Sequence, residues 1–364
     1  MTEQDQLDAI RDRIDAIDEQ IQELLNQRAR AAQEVARVKQ AAGEGTVFYR
    51  PDREAQVMRR VMERNQGPLS GETVALLFRE IMSACLALEQ PLRVAFLGPA
   101  GTFTQEAAIR HFGHAVHTEP MSAIDQVFRA VETGDCHYGV APIENSTEGV
   151  VTHTLDQFIL SPLKVCGEVV LRIHHNLMGK AERLEDVHTV YSHYQSLAQC
   201  RDWLTRKLPG VQITPVASNA LAARMVAEGD DPGVAAIAGS AAADMYTLPI
   251  LAPNIEDHPE NSTRFLVLGR QEVEPTGHDR TSLMISATNK PGALYRLLAP
   301  FADRNISLSR IESRPSRRES WAYVFFVDLL GHVRDEPVAE AIRKLEEEAA
   351  TVKVLGSYPQ AVVR

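Results

Sequence analysis

The first ninety or so residues carry the period of a helix. Leu7, Ile10, Ile14, Ile17, Ile21, Leu24, Ala31, Val35 and Val38 recur at spacings built from threes and fours, the seam of an amphipathic helix. One slot in that series, between Leu24 and Ala31, is filled by Arg28. Gly43 and Gly45 are expected to end this long helix. A second helix is predicted after Pro51 and a third over residues 70–89. A lone helix of this length cannot bury its own apolar stripe, which predicts an intertwined dimer.

From residue 93 the pattern changes. RVAFLG and YGVAPI are short apolar runs followed by loops and helical stretches, and they predict a mostly parallel sheet. A second half begins near EVVLRIHHNLMG and continues through TVYSH, VQITPV and GVAAIAG between alanine-rich helices. Two similar α/β halves with a cleft between them follow from that repetition. The stretch QEVEPTGHDR, with Pro275 and Gly277, reads as a linker. Beyond it come strand TSLMISA, helix PGALYRLLAPFADRN, strands ISLSRIES and SWAYVFFVDLLG, a helix over 338–350 and strand VKVLGSYP. That order is βαββαβ, a ferredoxin-like unit. The expected fold is multidomain: all-α over residues 1–91, two-lobed α/β over 92–272, and α+β over 280–364.

Composition narrows the class. A chain of 364 residues has room for two or three domains, and 44% apolar with 24% charged residues marks a soluble globular protein. The net charge of -11 argues against nucleic acid as a partner, though not against a local arginine cluster for a small anion. Cys85, Cys136, Cys166 and Cys200 are widely spread, so reduced thiols are expected rather than zinc or disulfides. The polar N-terminus and the lack of any run of membrane-spanning length lead to a cytoplasmic expectation, with no membrane partner.

Several residues suggest chemistry. A charge in an apolar seam is costly unless paired, so Arg28 calls for an anion. Lys39 lies about 20° around the helix from Arg28 and about 16 Å along it, so both can face one cavity; Arg11, about 100° away, points to a different neighbour. Solvated or snorkelling side chains are the alternative, and spacing alone does not separate the two. GPAGTFT (98–104) joins a strand to a helix whose N-terminus favours an anion, but it is not a G-x-G-x-x-G fingerprint. PIENSTEGVV and ENSTRFLVLG are dense in polar groups, and each alone is better read as turn chemistry. His111, His114 and His117 lie close together, but Gly113 interrupts them and no acidic residue completes a ligand set, so a solvated helix end is expected. His174 and His175 stand at the expected lobe crossing, where a catalytic role is open but nothing in the sequence supports it. Gly292 lets another backbone approach, which a merely dimerising tail would also use.

The segment LDAIRDRIDAIDEQIQELLNQRARAAQEVARVK, followed by Asp52, Arg53 and Glu54, resembles the all-helical chorismate mutase family. That resemblance implies a unimolecular Claisen rearrangement of a dianion, helped by clamping two carboxylates and donating to the ether oxygen. It implies that Arg28 binds one carboxylate and Arg11 of the partner chain the other. Lys39 would donate to the ether oxygen, Glu54 would accept from the ring hydroxyl, and Arg53 would support the site. The family's acidic residue before this run is replaced, with Tyr49 or Arg50 nearby. Its serine on the third helix falls on Cys85, and its second ether-oxygen donor falls on Glu89. Glu89 can donate only when protonated; Lys39 lowers its pKa and burial raises it.

GPAGTFT, PIENSTEGVVTHTLD, YSHYQSLAQC and NSTRF, in this order between Arg93 and Gly269, resemble prephenate dehydratase. That family has a periplasmic-binding-protein-like fold with substrate between two lobes. The resemblance implies that Thr263 donates to the departing hydroxyl. Asn145, Ser146, Gln195 and Thr102 would position substrate, and Phe265 would wall the site. Arg264 is either a carboxylate anchor or structural. PGAL and ESRP resemble the two signature loops of ACT regulatory domains, which bind phenylalanine between paired domains. Asn289, Gly292, Ala293, Leu294, Glu312, Ser313, Arg314 and Pro315 are the positions carried over.

Together the segments resemble a bifunctional chorismate mutase–prephenate dehydratase of phenylalanine biosynthesis. Its partners would be chorismate, prephenate and inhibitory phenylalanine, in a homodimer or higher oligomer, with no metal or organic cofactor. The rival expectation is a non-catalytic cytosolic amino-acid sensor, a two-lobed binding module with a ligand-responsive tail.

Overall fold

The computed structural model describes residues 2–41, 49–287, 290–315 and 323–362. Three helices open the chain, α1 (Glu3–Ala41), α2 (Pro51–Arg64) and α3 (Gly71–Glu89). Gly43 and Gly45 lie outside the described residues. Pro51 starts α2 where no backbone donor is needed, and Ser70 Oγ caps α3 by accepting from Thr73 N at 3.1 Å. α1 packs on α3 but leaves its seam bare: Ile14 is 50% exposed and Val38 68%.

The first lobe runs β1 (Arg93–Leu97), α4 (Phe103–Phe112), β2 (His117–Met121), α5 (Ile124–Thr133), β3 (Tyr138–Asn145), β4 (Gly149–Val150), α6 (Thr152–Leu160) and β5 (Lys164–Arg172). The chain crosses through Ile173, His174 and His175 into a second lobe. This holds β6 (Asn176–Gly179), β7 (Thr189–Ser192), α7 (Tyr194–Gln199), α8 (Arg201–Lys207), β8 (Gln212–Pro215), α9 (Asn219–Glu228), β9 (Val234–Ala238), α10 (Ser240–Tyr246) and β10 (Ile250–Ala252). It returns on β11 (Ser262–Gly269) to the first sheet, whose order is β2-β1-β3-β11-β5; the second is β10-β6-β9-β7-β8. The sheets are mixed rather than mostly parallel. β1 is parallel to β2 and β3, and β7 to β8 and β9, but β11 is antiparallel to β3 and β5, as is β6 to β9 and β10. The strands that carry the chain across to the other lobe and back need no helical crossover, so they pair antiparallel.

The last unit is β12 (Asp279–Ala287), α11 (Ala293–Ala302), β13 (Leu308–Pro315), β14 (Tyr323–Leu330), α12 (Glu336–Glu348) and β15 (Thr351–Pro359), an antiparallel sheet ordered β13-β14-β12-β15. The polar join before it is packed rather than loose. The Asp279 carboxylate accepts from Thr276 N, Thr276 Oγ1 and Gly277 N, and Arg59 of α2 donates to Thr276 Oγ1. β15 lies so close on β5 that a Cβ at Gly356 would run into Val165 O. The helical segment is docked too: Tyr49 and Leu92 share one buried cluster with Phe112 and Tyr138 of the first lobe.

Candidate active sites

A cleft of about 690 Å³ separates the two lobes. Thr263 of β11 faces it and pairs across the sheet with Asn145 of β3. Asn145 Nδ2 donates to Thr263 Oγ1 at 2.8 Å. The amide cannot be turned over, because its Oδ1 accepts from the backbone N–H groups of Thr147 and Glu148, both at 2.9 Å, and backbone N–H only donates. Thr263 Oγ1 is thereby an acceptor from Asn145, and its own proton has no acceptor among the described residues. The structure also brings Phe265, Gln195 and Thr102 to the cleft. Thr102 precedes α4 and donates from Oγ1 to Leu97 O at 3.1 Å.

Two expectations for this cleft are corrected. Along a strand, side chains alternate, so Arg264 points away from Thr263 and Phe265. Its guanidinium meets Glu168 at 2.8 Å, Asp328 at 2.6 Å and the Tyr358 hydroxyl at 2.8 Å, buried between the first lobe and the C-terminal sheet. Arg264 therefore holds those units together and anchors no ligand in the cleft. Ser146 is exposed, and its Oγ accepts from Ser262 N at 2.9 Å, so it ties β3 to β11 instead of lining the cleft.

Gln199 and Asn261 were not singled out in the sequence and His175 was placed only at the lobe crossing; Gln199 and His175 line the cleft, and Asn261 is buried beside them. Gln199 Oε1 lies 2.8 Å from His175 Nε2 and 3.0 Å from Asn261 Nδ2. Asn261 Oδ1 in turn accepts from Asn145 Nδ2 at 2.9 Å. His175 is buried, which lowers its pKa, while Gln199 and Glu256 act to raise it and His174 to lower it. The available signal was helical spacing: Gln199 stands four residues after Gln195 in YSHYQSLAQC.

A second cluster forms on the helices. Glu89, at the end of α3, senses Lys39 and Arg28 of α1. Burial outweighs both cations and holds the Glu89 carboxyl above its usual pKa, which answers the question left open by spacing. Cys85, buried, precedes Glu89 by about one helical turn. Arg11 is exposed and paired with Asp8 at 3.1 Å; it sits roughly 25 Å before Arg28 on the same helix, out of reach within one chain. Arg53 is exposed on α2.

Glu54 is placed otherwise than expected. It meets Arg79 at 3.4 Å, in a small cavity shared with Tyr49, His111 and residues 359–362. Burial raises its pKa, with Arg79 and Tyr49 opposing. The cause is the preceding Tyr49, which packs on Phe112 and Tyr138 and draws the first turn of α2 toward the first lobe. Tyr49 Oη lies 2.9 Å from His111 Nε2. His111 is thus no solvated helix end: burial, aided by Arg79, lowers its pKa to about 3. His114 is exposed and pairs with Glu80 at 3.0 Å.

In the C-terminal unit, Ala287 pairs with Tyr323, which pairs with Pro315. This register puts the end of β12 and the end of β13 at one end of the sheet. Gly292 caps α11 with φ of 73°, a left-handed geometry that suits glycine, and Ala293 and Leu294 form the first turn. Asn289 lies outside the described residues. β13 is an edge strand with Ser313 and Pro315 exposed and Glu312 half-buried. Arg314 reaches Asp156 of α6 at 3.1 Å, linking this edge to the first lobe.

Comparison with known proteins returns three family profiles in order: chorismate mutase type II over residues 10–90, prephenate dehydratase over 94–273 and ACT domain over 281–347. A bifunctional chorismate mutase/prephenate dehydratase of Pseudomonas aeruginosa is 56% identical over 100% of both chains. One from Neisseria gonorrhoeae is 53% identical over 97% of each. Among solved structures, prephenate dehydratase of Arthrobacter aurescens in complex with L-Phe superposes with a TM-score of 0.69 at 35% identity, covering 75% of this chain and 93% of that one.

Proposed function

The chain belongs to the family of bifunctional chorismate mutase/prephenate dehydratases, and from that premise we propose how its residues divide the work. It is an isomerase and a lyase: chorismate rearranges to prephenate, and prephenate becomes phenylpyruvate with loss of carbon dioxide and water, under feedback inhibition by phenylalanine. The mutase is assigned to residues 1–91, the dehydratase to 92–272 and the sensor to 280–364.

Dehydration turns a dianion into a monoanion, carbon dioxide and water, so it takes up one proton. The departing oxygen must therefore be met by a donor. The observation that carries the assignment is the Asn145 hydrogen bond, which makes Thr263 Oγ1 an acceptor on one side and leaves its O–H to donate toward the cleft. Thr263 is too weak an acid to be the net source, so it stabilises the leaving oxygen while solvent supplies the proton. The N-terminus of α4 at Thr102 and the Gln195 amide suit the substrate carboxylates, and Phe265 excludes water.

In the mutase, Arg28 and Lys39 face Glu89, whose raised pKa supports a protonated donor to the ether oxygen. Cys85 and Arg53 complete the site. The bare stripe of α1 supports a dimer in which Arg11 of the partner chain closes it. Phenylalanine is assigned to the loops at Gly292–Leu294 and Glu312–Pro315 of paired domains. The Arg314–Asp156 link supports a route from there to the dehydratase. A cytoplasmic location accords with this metabolism.

The test uses the full chain with chorismate. Thr263→Ala should accumulate prephenate at the normal rate and form no phenylpyruvate, followed by its absorbance in base. Full dehydratase turnover in that variant rejects the assignment; wild-type protein that makes no product favours the non-catalytic sensor.

A further inference from the structure

We propose that His175 is a positioning residue of the dehydratase reaction, holding Gln199 so that its amide NH₂ faces the cleft. The proposal rests on the cleft being the dehydratase site. Its starting point is the pair of backbone N–H groups on Asn145 Oδ1. They force Asn145 Nδ2 toward Asn261, so Asn261 must present Oδ1 to it, at 2.9 Å. Asn261 then turns Nδ2 to Gln199, whose Oε1 must accept, at 3.0 Å. An accepting Oε1 requires His175 to donate from Nε2, at 2.8 Å. A fixed backbone therefore dictates the histidine tautomer through three amides.

Two consequences follow. Gln199 Oε1 receives two donors and is saturated, so its NH₂, with no acceptor among the described residues, is left for the cleft that Gln199 lines. Nδ1 of His175 must carry a lone pair, and it is buried without a hydrogen-bond partner among the described residues. The opposite tautomer would place an unpaired N–H there and set two acceptors, Nε2 and Oε1, against each other. The groups around the ring are Gln199, Phe103 in a T-shaped contact, His174, and Glu256, which accepts from His175 N at 2.9 Å. Without His175, Gln199 is held by Asn261 alone and can rotate its donor out of place.

The full chain is assayed with prephenate. His175→Leu should lower dehydratase kcat/KM by about tenfold or more, the loss of one orienting hydrogen bond with its partner left free. His175→Gln, whose amide nitrogen can reproduce the Nε2 donor, should recover to within about threefold. Mutase turnover of chorismate should be unchanged in both, reporting an intact fold. Nitrogen-15 spectra of the wild-type ring should show Nε2 protonated and Nδ1 bare at neutral pH. Wild-type rates in His175→Leu, equal damage in His175→Gln, or a protonated Nδ1 would each overturn the proposal. Thr263→Ala is run alongside. If it is dead while His175→Leu is normal, only this proposal falls; if it is fully active, the reading of the cleft falls with it.

Discussion

Asp328→Ala should be among the most costly single changes outside the catalytic residues. Three guanidiniums, of Arg264, Arg280 and Arg310, meet three carboxylates, of Glu168, Asp328 and Glu144, where the C-terminal sheet covers the first lobe. Asp328 is 3% exposed and accepts from Arg264 and from Ser282 Oγ, each at 2.6 Å. Removing it leaves Arg264 and Arg280 sharing Glu168 alone, an uncompensated buried charge. Breaking one side of such a pair costs about 3–5 kcal/mol, a large part of a typical stability of about 5–15 kcal/mol. Urea unfolding of the full chain should show the lower midpoint. Adding Arg264→Met to Asp328→Ala should restore much of the loss, because replacing a whole buried pair by apolar side chains is nearly neutral. The sign with pH is also determined. Burial pushes the Asp328 pKa up, but Arg264 and Arg310 pull it below the usual value. Its contribution is therefore complete above the unfolded pKa of about 3.9 and is lost as pH falls through the depressed folded value. The gap between wild type and Asp328→Ala should close in acid. A loss under about 1 kcal/mol at neutral pH, or a gap that widens in acid, refutes the reasoning.

Mutase activity should decline as pH rises through the raised pKa of Glu89, since only the protonated acid donates to the ether oxygen. Glu89→Gln should abolish that limb, and an unchanged profile removes Glu89 from the mechanism. Because Arg11 is assigned to the neighbouring chain, mixing the inactive variants Arg11→Ala and Lys39→Ala should regenerate mutase activity through mixed dimers, up to about a quarter of the wild-type level. No recovery, or a monodisperse monomer in sedimentation, would end the intertwined-dimer reading.

The elements of this protein were legible in the chain because period is a local property. A seam at threes and fours means helix, and short apolar runs between turns mean strand, whatever lies elsewhere. The motif GPAGTFT and the threonine of NSTRF likewise pointed to the cleft, since a strand end followed by a helix start is written in neighbouring residues. Direction was another matter. Arg264 and Thr263 are adjacent in sequence, yet one faces the cleft and the other a buried ion cluster, because a sheet from the far end of the chain covers one side of β11. Glu54 and His111 were misplaced because Tyr49 draws α2 onto the first lobe, which shields both groups from much of the solvent. Glu89 stood between two opposed effects, and only its surroundings showed that burial exceeds the pull of Lys39 and Arg28. Gln199 and His175 were visible as letters, but their orientation descends from two backbone N–H groups on a loop that lies over fifty residues before Gln199 and over twenty-five before His175. Sequence determined which local structures form and which residues could do chemistry. Tertiary structure decided where each side chain points and how it is charged, because solvation and hydrogen bonding depend on segments brought together only by folding.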